Sequence, residues 1–135
     1  MSRLKFSGSL LAMALPAMAA FAAPAGIYTA AQAKAGQLAY TQSCESCHGS
    51  ALQGISGPKL IGQDFAKASD HYTLGLVFTN LWEGTPAGAP DSLSHATYVN
   101  IMAYLLAKNG YPSGTVALNF NEADQSRAAF VSLVK

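Results

Sequence analysis

Cys44-Glu45-Ser46-Cys47-His48 holds the only two cysteines of the 135-residue chain, with a histidine directly after the second. Two thiols at this spacing followed by an imidazole form a site for covalent haem attachment. Each thiol adds across one vinyl group of the porphyrin to make a thioether. The histidine then reaches the iron from one face. Two intervening residues let one turn of backbone present both sulfurs along one porphyrin edge. The expected cofactor is one haem c with its iron, carried by Cys44 and Cys47 and ligated by His48.

Three other chemistries use parts of this stretch. A redox-active Cys-x-x-Cys pair does not need His48, and it sits after a strand in a βαβ pattern that is not found here. A structural zinc needs four ligands at tight spacing, and His71 and His95 lie too far apart in sequence to complete them. A disulfide across so short a loop removes little chain entropy.

The elements that must position the motif follow from the rest of the chain. Residues 1–22 read as a secretory signal peptide: Arg3 and Lys5 open it, Leu10 to Phe21 is apolar apart from Pro16, and Ala20-Phe21-Ala22 is a small-x-small cleavage site. The apolar run is well short of the ~20 residues that span a bilayer. Losing Arg3 and Lys5 leaves six basic against seven acidic residues, a net charge of −1. No basic face for nucleic acid is expected, and no membrane span after cleavage. Residues 23–135 form one small domain, with a core at about 30–114 and an extension at 115–135.

Residues 23–28 read as a disordered lead-in. Thr29 with Gln32 makes a capping box for a helix over 30–40, which runs into the motif, with Gly36 and Tyr40 on one face. A glycine-rich loop spans 49–62 and needs a cofactor to lie against; one helical turn falls within 64–70. A helix over 73–82 has the apolar stripe Leu74, Val77, Phe78, Leu81. After a second Pro/Gly loop, Ser94 caps a helix over 95–108 with Val99, Met102, Ala103 and Leu106 inward. Asn109-Gly110 and Pro112 end it. In the tail, Asn121 caps a short helix through Leu133, with Ala128, Val131 and Leu133 seeking cover. The class is all-α, without repeats or strands.

Cys44-x-x-Cys47-His48-Gly49, Gly57-Pro58-Lys59-Leu60 and Ala103-Tyr104-Leu105-Leu106 resemble, in order and spacing, a class I c-type cytochrome. The segment from Ser92 to Gly114 is similar to small cytochromes found with periplasmic quinoprotein dehydrogenases. The resemblance implies the cytochrome c fold: three to five helices with long Gly/Pro loops wrapped around one covalently bound haem. It implies that the first and last core helices cross near Gly36, Tyr40 and Tyr104. It places Pro58 and Leu60 in the haem pocket, with the Pro58 carbonyl accepting a hydrogen bond from the His48 ring nitrogen that does not face the iron.

On the second face of the iron the sequence departs from that family. A methionine before a proline is usual there, and this chain has Thr85-Pro86. Met102 is the one methionine outside the leader and is a possible second axial ligand, although its position suits core filling. His71 could swing to the iron, and His95 points to solvent in the simplest arrangement. An open position, or one loosely closed by Thr85, is the remaining option. Trp82 reads as a haem-pocket wall or a core residue, Tyr98 and Tyr104 as helix-packing aromatics, Glu83 and Asp91 as solvated loop charges.

The resulting expectation is a periplasmic electron carrier, not an enzyme, that moves single electrons between partners such as a dehydrogenase and a terminal oxidase. It would act as a monomer or as a subunit of a dehydrogenase complex. The alternative is a haem protein that binds a small gas or acts on peroxide through an open sixth position, with His71 and Glu83 as candidate distal groups.

Overall fold

A computed structural model describes residues 26–135; the signal-peptide segment, 1–22, lies outside the described residues. The chain forms helix α1 (Ala30–Ser43), a single-turn α2 (Glu45–His48), a 3-10 turn (Ala68–Asp70), α3 (Leu74–Gly84), α4 (His95–Lys108) and a short α5 (Phe120–Asp124). Among the described residues the only β pairing is two isolated bridges, Thr29 with Gly114 and Thr73 with Ala129. None of the described helices is long and apolar enough to cross a membrane.

Local capping sets the helix starts. Thr29 Oγ1 accepts the Gln32 N–H and Gln32 Oε1 accepts the Thr29 N–H, both halves of a capping box. Thr73 and Ser94 do the same one-sidedly for α3 and α4, accepting from Leu76 N and Thr97 N. Tyr28 is not part of a loose lead-in. It is buried, its hydroxyl donates to the Tyr111 carbonyl at 2.6 Å, and its own carbonyl accepts from Gly114 N at 2.7 Å.

The crossing of α1 and α4 is the frame. Gly36 lies so close to the Asn100 carbonyl of α4 that a Cβ there would overlap it. One turn later Tyr40 packs on Tyr104 with ring centroids 5.2 Å apart. α4 is buried nearly all round and divides two clusters. Tyr98, Val99, Met102, Ala103 and Leu106 join Tyr28, Leu74, Phe78, Leu118 and Phe130. Ile101, Tyr104 and Leu105 join Tyr40 and Leu52 beside the motif.

The tail differs from its sequence reading. Asn119, not Asn121, caps α5 by accepting from Glu122 N, and the helix stops at Asp124. The rest is extended, because its backbone groups find partners across the fold rather than within a helix. Ala128 O accepts from Leu74 N and Ser126 O from Gly75 N, satisfying free donors in the first turn of α3. Phe130 N donates to Tyr72 O, Ser132 N to Ala66 O, and Leu133 N to Asn109 O. Phe130 and Ser132 are buried; Ala128 and Leu133 are exposed. Asn109 caps α4 and also ties it to the loop before it: its Nδ2 donates to Leu60 O and Leu105 O, and its Oδ1 accepts from Gly62 N.

Gly36→Ala is expected to destabilise the fold by about 1–3 kcal/mol, the usual cost of forcing atoms into a filled interface. A thermal melt measures it, and an unchanged midpoint would mean that α1 and α4 have room to separate. Asn109→Leu leaves the Leu60 carbonyl short of a buried partner and loosens the tie of Leu105 O and Gly62 N, at a cost of about 1–3 kcal/mol by denaturant titration.

Candidate functional site

α1 delivers the motif. Its last carbonyls continue into the α2 turn, with Cys44 N donating to Tyr40 O at 2.8 Å and His48 N to Cys44 O at 2.9 Å. Tyr40 also fixes the exit from the turn, its hydroxyl donating to Gly49 O at 2.7 Å. Burial pushes that phenol up to about 12, so it remains a donor at any physiological pH. The loop after the motif then folds back on it. Gly54 N donates to His48 O, and both Ile55 N and Gly57 N donate to Cys47 O. The glycine-rich loop therefore draws its order from the carbonyls of the motif itself, and not from a cofactor alone.

This return path places Gly57 and Pro58 over the imidazole. His48 Nδ1–H donates to the Pro58 carbonyl at 2.7 Å. A carbonyl can only accept, so the proton sits on Nδ1 and the Nε2 lone pair is left free. A Cβ on Gly57 would lie 2.8 Å from His48 Cε1, so only glycine lets the backbone pass this close to the ring.

The two cysteines are unpaired and half-buried. Desolvation, with the neighbouring Cys47 adding to it, pushes the Cys44 thiol up to about 11. Hydrogen bonds from Ser56 and Ser46 pull Cys47 down from the usual thiol range.

Both sulfurs and the imidazole open onto a cavity of ≈ 490 Å³, within the range of cofactor sites. On the side of the motif its lining includes Tyr40, Ser43, Pro58, Lys59 and Leu60, with Ile101 and Leu105 of α4 beneath. The other wall is α3 and the chain just after it: Leu76, Val77, Asn80, Leu81, Thr85, Pro86 and Ala87. Phe65 and Tyr72 join the two walls. The charges in the lining, Lys59 and Asp64, are paired with each other at 2.9 Å, which lowers the Asp64 carboxyl below its usual range. Two thiols along one edge, one imidazole with a free Nε2 and a largely aliphatic slot fit a haem.

Thr85 lies on the cavity and is held firmly. Its hydroxyl donates to Leu81 O at 2.6 Å, and its carbonyl accepts from the Tyr98 hydroxyl at 2.7 Å. Tyr98, read from sequence as packing, thus positions this segment. Met102 is fully buried against the larger core cluster and does not line the cavity. His71 is exposed at the end of the 3-10 turn, and His95 stacks on Phe120 with centroids 3.7 Å apart. Glu83 is exposed and off the cavity. Trp82 is not a wall of the cavity but packs against the larger core cluster; it donates to Asp124 Oδ1, as does the Thr79 hydroxyl, which straps α5 to the back of α3. Sequence reasoning missed Asn80 and Leu76. Their signal was the spacing Leu76, Val77, Asn80, a second face of α3 beside the stripe of Leu74 and Phe78.

A family model described as cytochrome c oxidase, cbb3-type, subunit III matches residues 31–105, more than half of the chain. Cytochrome c-551 of Bacillus subtilis (strain 168) is 36% identical over 66 residues, which cover 49% of this chain and 57% of that protein. Among solved structures, a chain of the sulfane dehydrogenase SoxCD from Paracoccus pantotrophus is similar with a TM-score of 0.56 and 25% identity, over 75% of this chain and 53% of that one. Cytochrome CL from Methylophaga aminisulfidivorans gives a TM-score of 0.45 and 20% identity over 64% of this chain and 70% of that one. The match spans little more than half the length of the cytochrome c-551 and of the SoxCD chain.

Gly57→Ala tests the packing of the loop on the imidazole. It is expected to cost about 1–3 kcal/mol of stability and to alter the visible spectrum of the haem-loaded protein as His48 shifts. An unaltered spectrum would contradict the placement of Gly57 against the His48 imidazole.

Proposed function

The chain belongs to the cytochrome c family described by that model, with haem c and its iron as the cofactor, and on that premise we propose that it carries single electrons between partners in the periplasm. Cys44 and Cys47 would hold the haem through thioethers, with His48 as the ligand to its iron. When bound, the haem supplies the one-electron couple.

The remaining work falls to the chain. The observation that carries the assignment is the His48–Pro58 hydrogen bond beside the two open thiols. It holds the imidazole in one tautomer and orientation, with Nε2 left to face the iron that a bound haem would bring. Leu60, Ile101 and Leu105 keep water from one side of the slot, while Leu76 and Val77 do so from the other. Limiting water access lowers the solvent rearrangement that each electron transfer requires. A porphyrin edge left accessible at the cavity mouth would be a small contact zone, suited to brief encounters rather than a permanent complex.

Export is supported by the leader-like sequence of residues 1–22. A dehydrogenase partner, either free or as the larger part of one complex, is supported by the similarity to a chain of a sulfane dehydrogenase. No residue of the lining except the paired Asp64 is an acid, and neither His71 nor Glu83 reaches it, so the site favours electron carriage over peroxide cleavage.

Spectroelectrochemistry on the protein purified from the periplasmic fraction provides the test. A reversible titration following a one-electron Nernst slope is expected, with a displaced midpoint potential in His48→Ala. Irreversible behaviour, or recovery of the protein only from the cytoplasm, would contradict the proposal.

A further inference from the structure

The chain adjoining α3 supplies a wall of the cavity unlike the wall that carries His48. It contains no histidine, methionine or charged side chain: its members are Leu76, Val77, Asn80, Leu81, Thr85, Pro86 and Ala87. Thr85 is a neutral hydroxyl whose proton is already given to Leu81 O, and Tyr98 pins its backbone. It has no free proton to offer and is a weak donor to iron. The Met102 thioether is locked in the larger core cluster with no exposed surface. The Lys59 ammonium follows Pro58 directly in sequence and is paired with Asp64. Asn80 is the exception within this wall: its primary amide makes no hydrogen bond among the described residues and opens onto the cavity.

We infer that the second face of the iron is an exchangeable site for a small neutral diatomic ligand, with the Asn80 amide as its hydrogen-bond donor. This rests on the assignment of Cys44, Cys47 and His48 to the haem. Aliphatic side chains without a cation disfavour an anion, which would lose its hydration with nothing in return. The absence of an acid–base group in this wall leaves nothing to move protons to or from a bound peroxide. A carbon monoxide or nitric oxide molecule needs neither. It needs room, an iron not already closed by a strong ligand, and at most one donor to its outer atom. Leu76 and Val77 supply the apolar surround, and Asn80 the N–H.

The ferrous haem-loaded protein, mixed with carbon monoxide, gives the test. Covalent haem is first verified by intact mass; a chain without it overturns the underlying assignment together with this inference. With haem present, rapid formation of a carbonyl adduct is expected. Asn80→Leu should raise the C–O stretching frequency and speed dissociation by about three- to tenfold, the worth of one modest hydrogen bond. Glu83→Gln, on the same helix but off the cavity, should leave both unchanged. Thr85→Met should convert the iron to low spin and slow carbon monoxide uptake. A wild-type protein that is low-spin and inert to carbon monoxide would overturn the inference while leaving the haem assignment intact. An Asn80→Leu adduct with an unshifted stretch, or a Glu83→Gln adduct with a shifted one, would overturn the role of Asn80. Asn80 is exposed in the fold, so its replacement is not expected to prevent folding.

Discussion

Both thiols and the imidazole ride on one turn of helix, and the site exists only if that turn is fixed in space. Four backbone donors and one phenol hold it. His48 N closes on Cys44 O, Gly54 N on His48 O, Ile55 N and Gly57 N on Cys47 O, and the Tyr40 hydroxyl on Gly49 O. These contacts are short in sequence, so they form without waiting for distant parts of the chain. Their consequence is chemical: the returning loop brings the Pro58 carbonyl to His48 and decides which ring nitrogen keeps its proton.

The larger frame carries the turn and completes the slot. α1 ends in the motif, and its crossing with α4 at Gly36 sets where that end lies relative to Ile101 and Leu105. α3 stands across the cavity and is held from behind. Tail carbonyls at Ser126 and Ala128 receive the first N–H groups of α3, and Asp124 receives Thr79 and Trp82. The tail lines none of the cavity, yet it also grips the loop on the motif side, where Ser132 Oγ accepts from Gly62 N. A segment beyond the family match thereby braces both walls.

Much of this was legible in the sequence, where the physics is local. The spacing of Cys44, Cys47 and His48 announced the cofactor, and the hydroxyls of Thr29 and Ser94 announced helix starts, because a cap involves only residues a turn away. The tail was misread because its order comes from partners more than 50 residues distant, as in Phe130 with Tyr72 and Ser132 with Ala66. Asn121 looked like a cap, but Asn119 takes that role and the tail then runs extended. Tyr28 was misplaced for the same reason, its hydroxyl being held by Tyr111. α3 has two apolar faces, and the sequence stripe merged them: Leu74 and Phe78 face the core, while Leu76, Val77 and Asn80 face the cavity. Helical periodicity alone cannot tell protein interior from cofactor slot.

Covalent attachment at one turn is the central claim, and peptide mass mapping of the purified protein tests it most directly. Trypsin should release the segment from Ala35 to Lys59, which holds both cysteines. The account predicts that this peptide carries one iron porphyrin bonded to both sulfurs. The same peptide with two free thiols, or with Cys44 and Cys47 joined to each other, would contradict it.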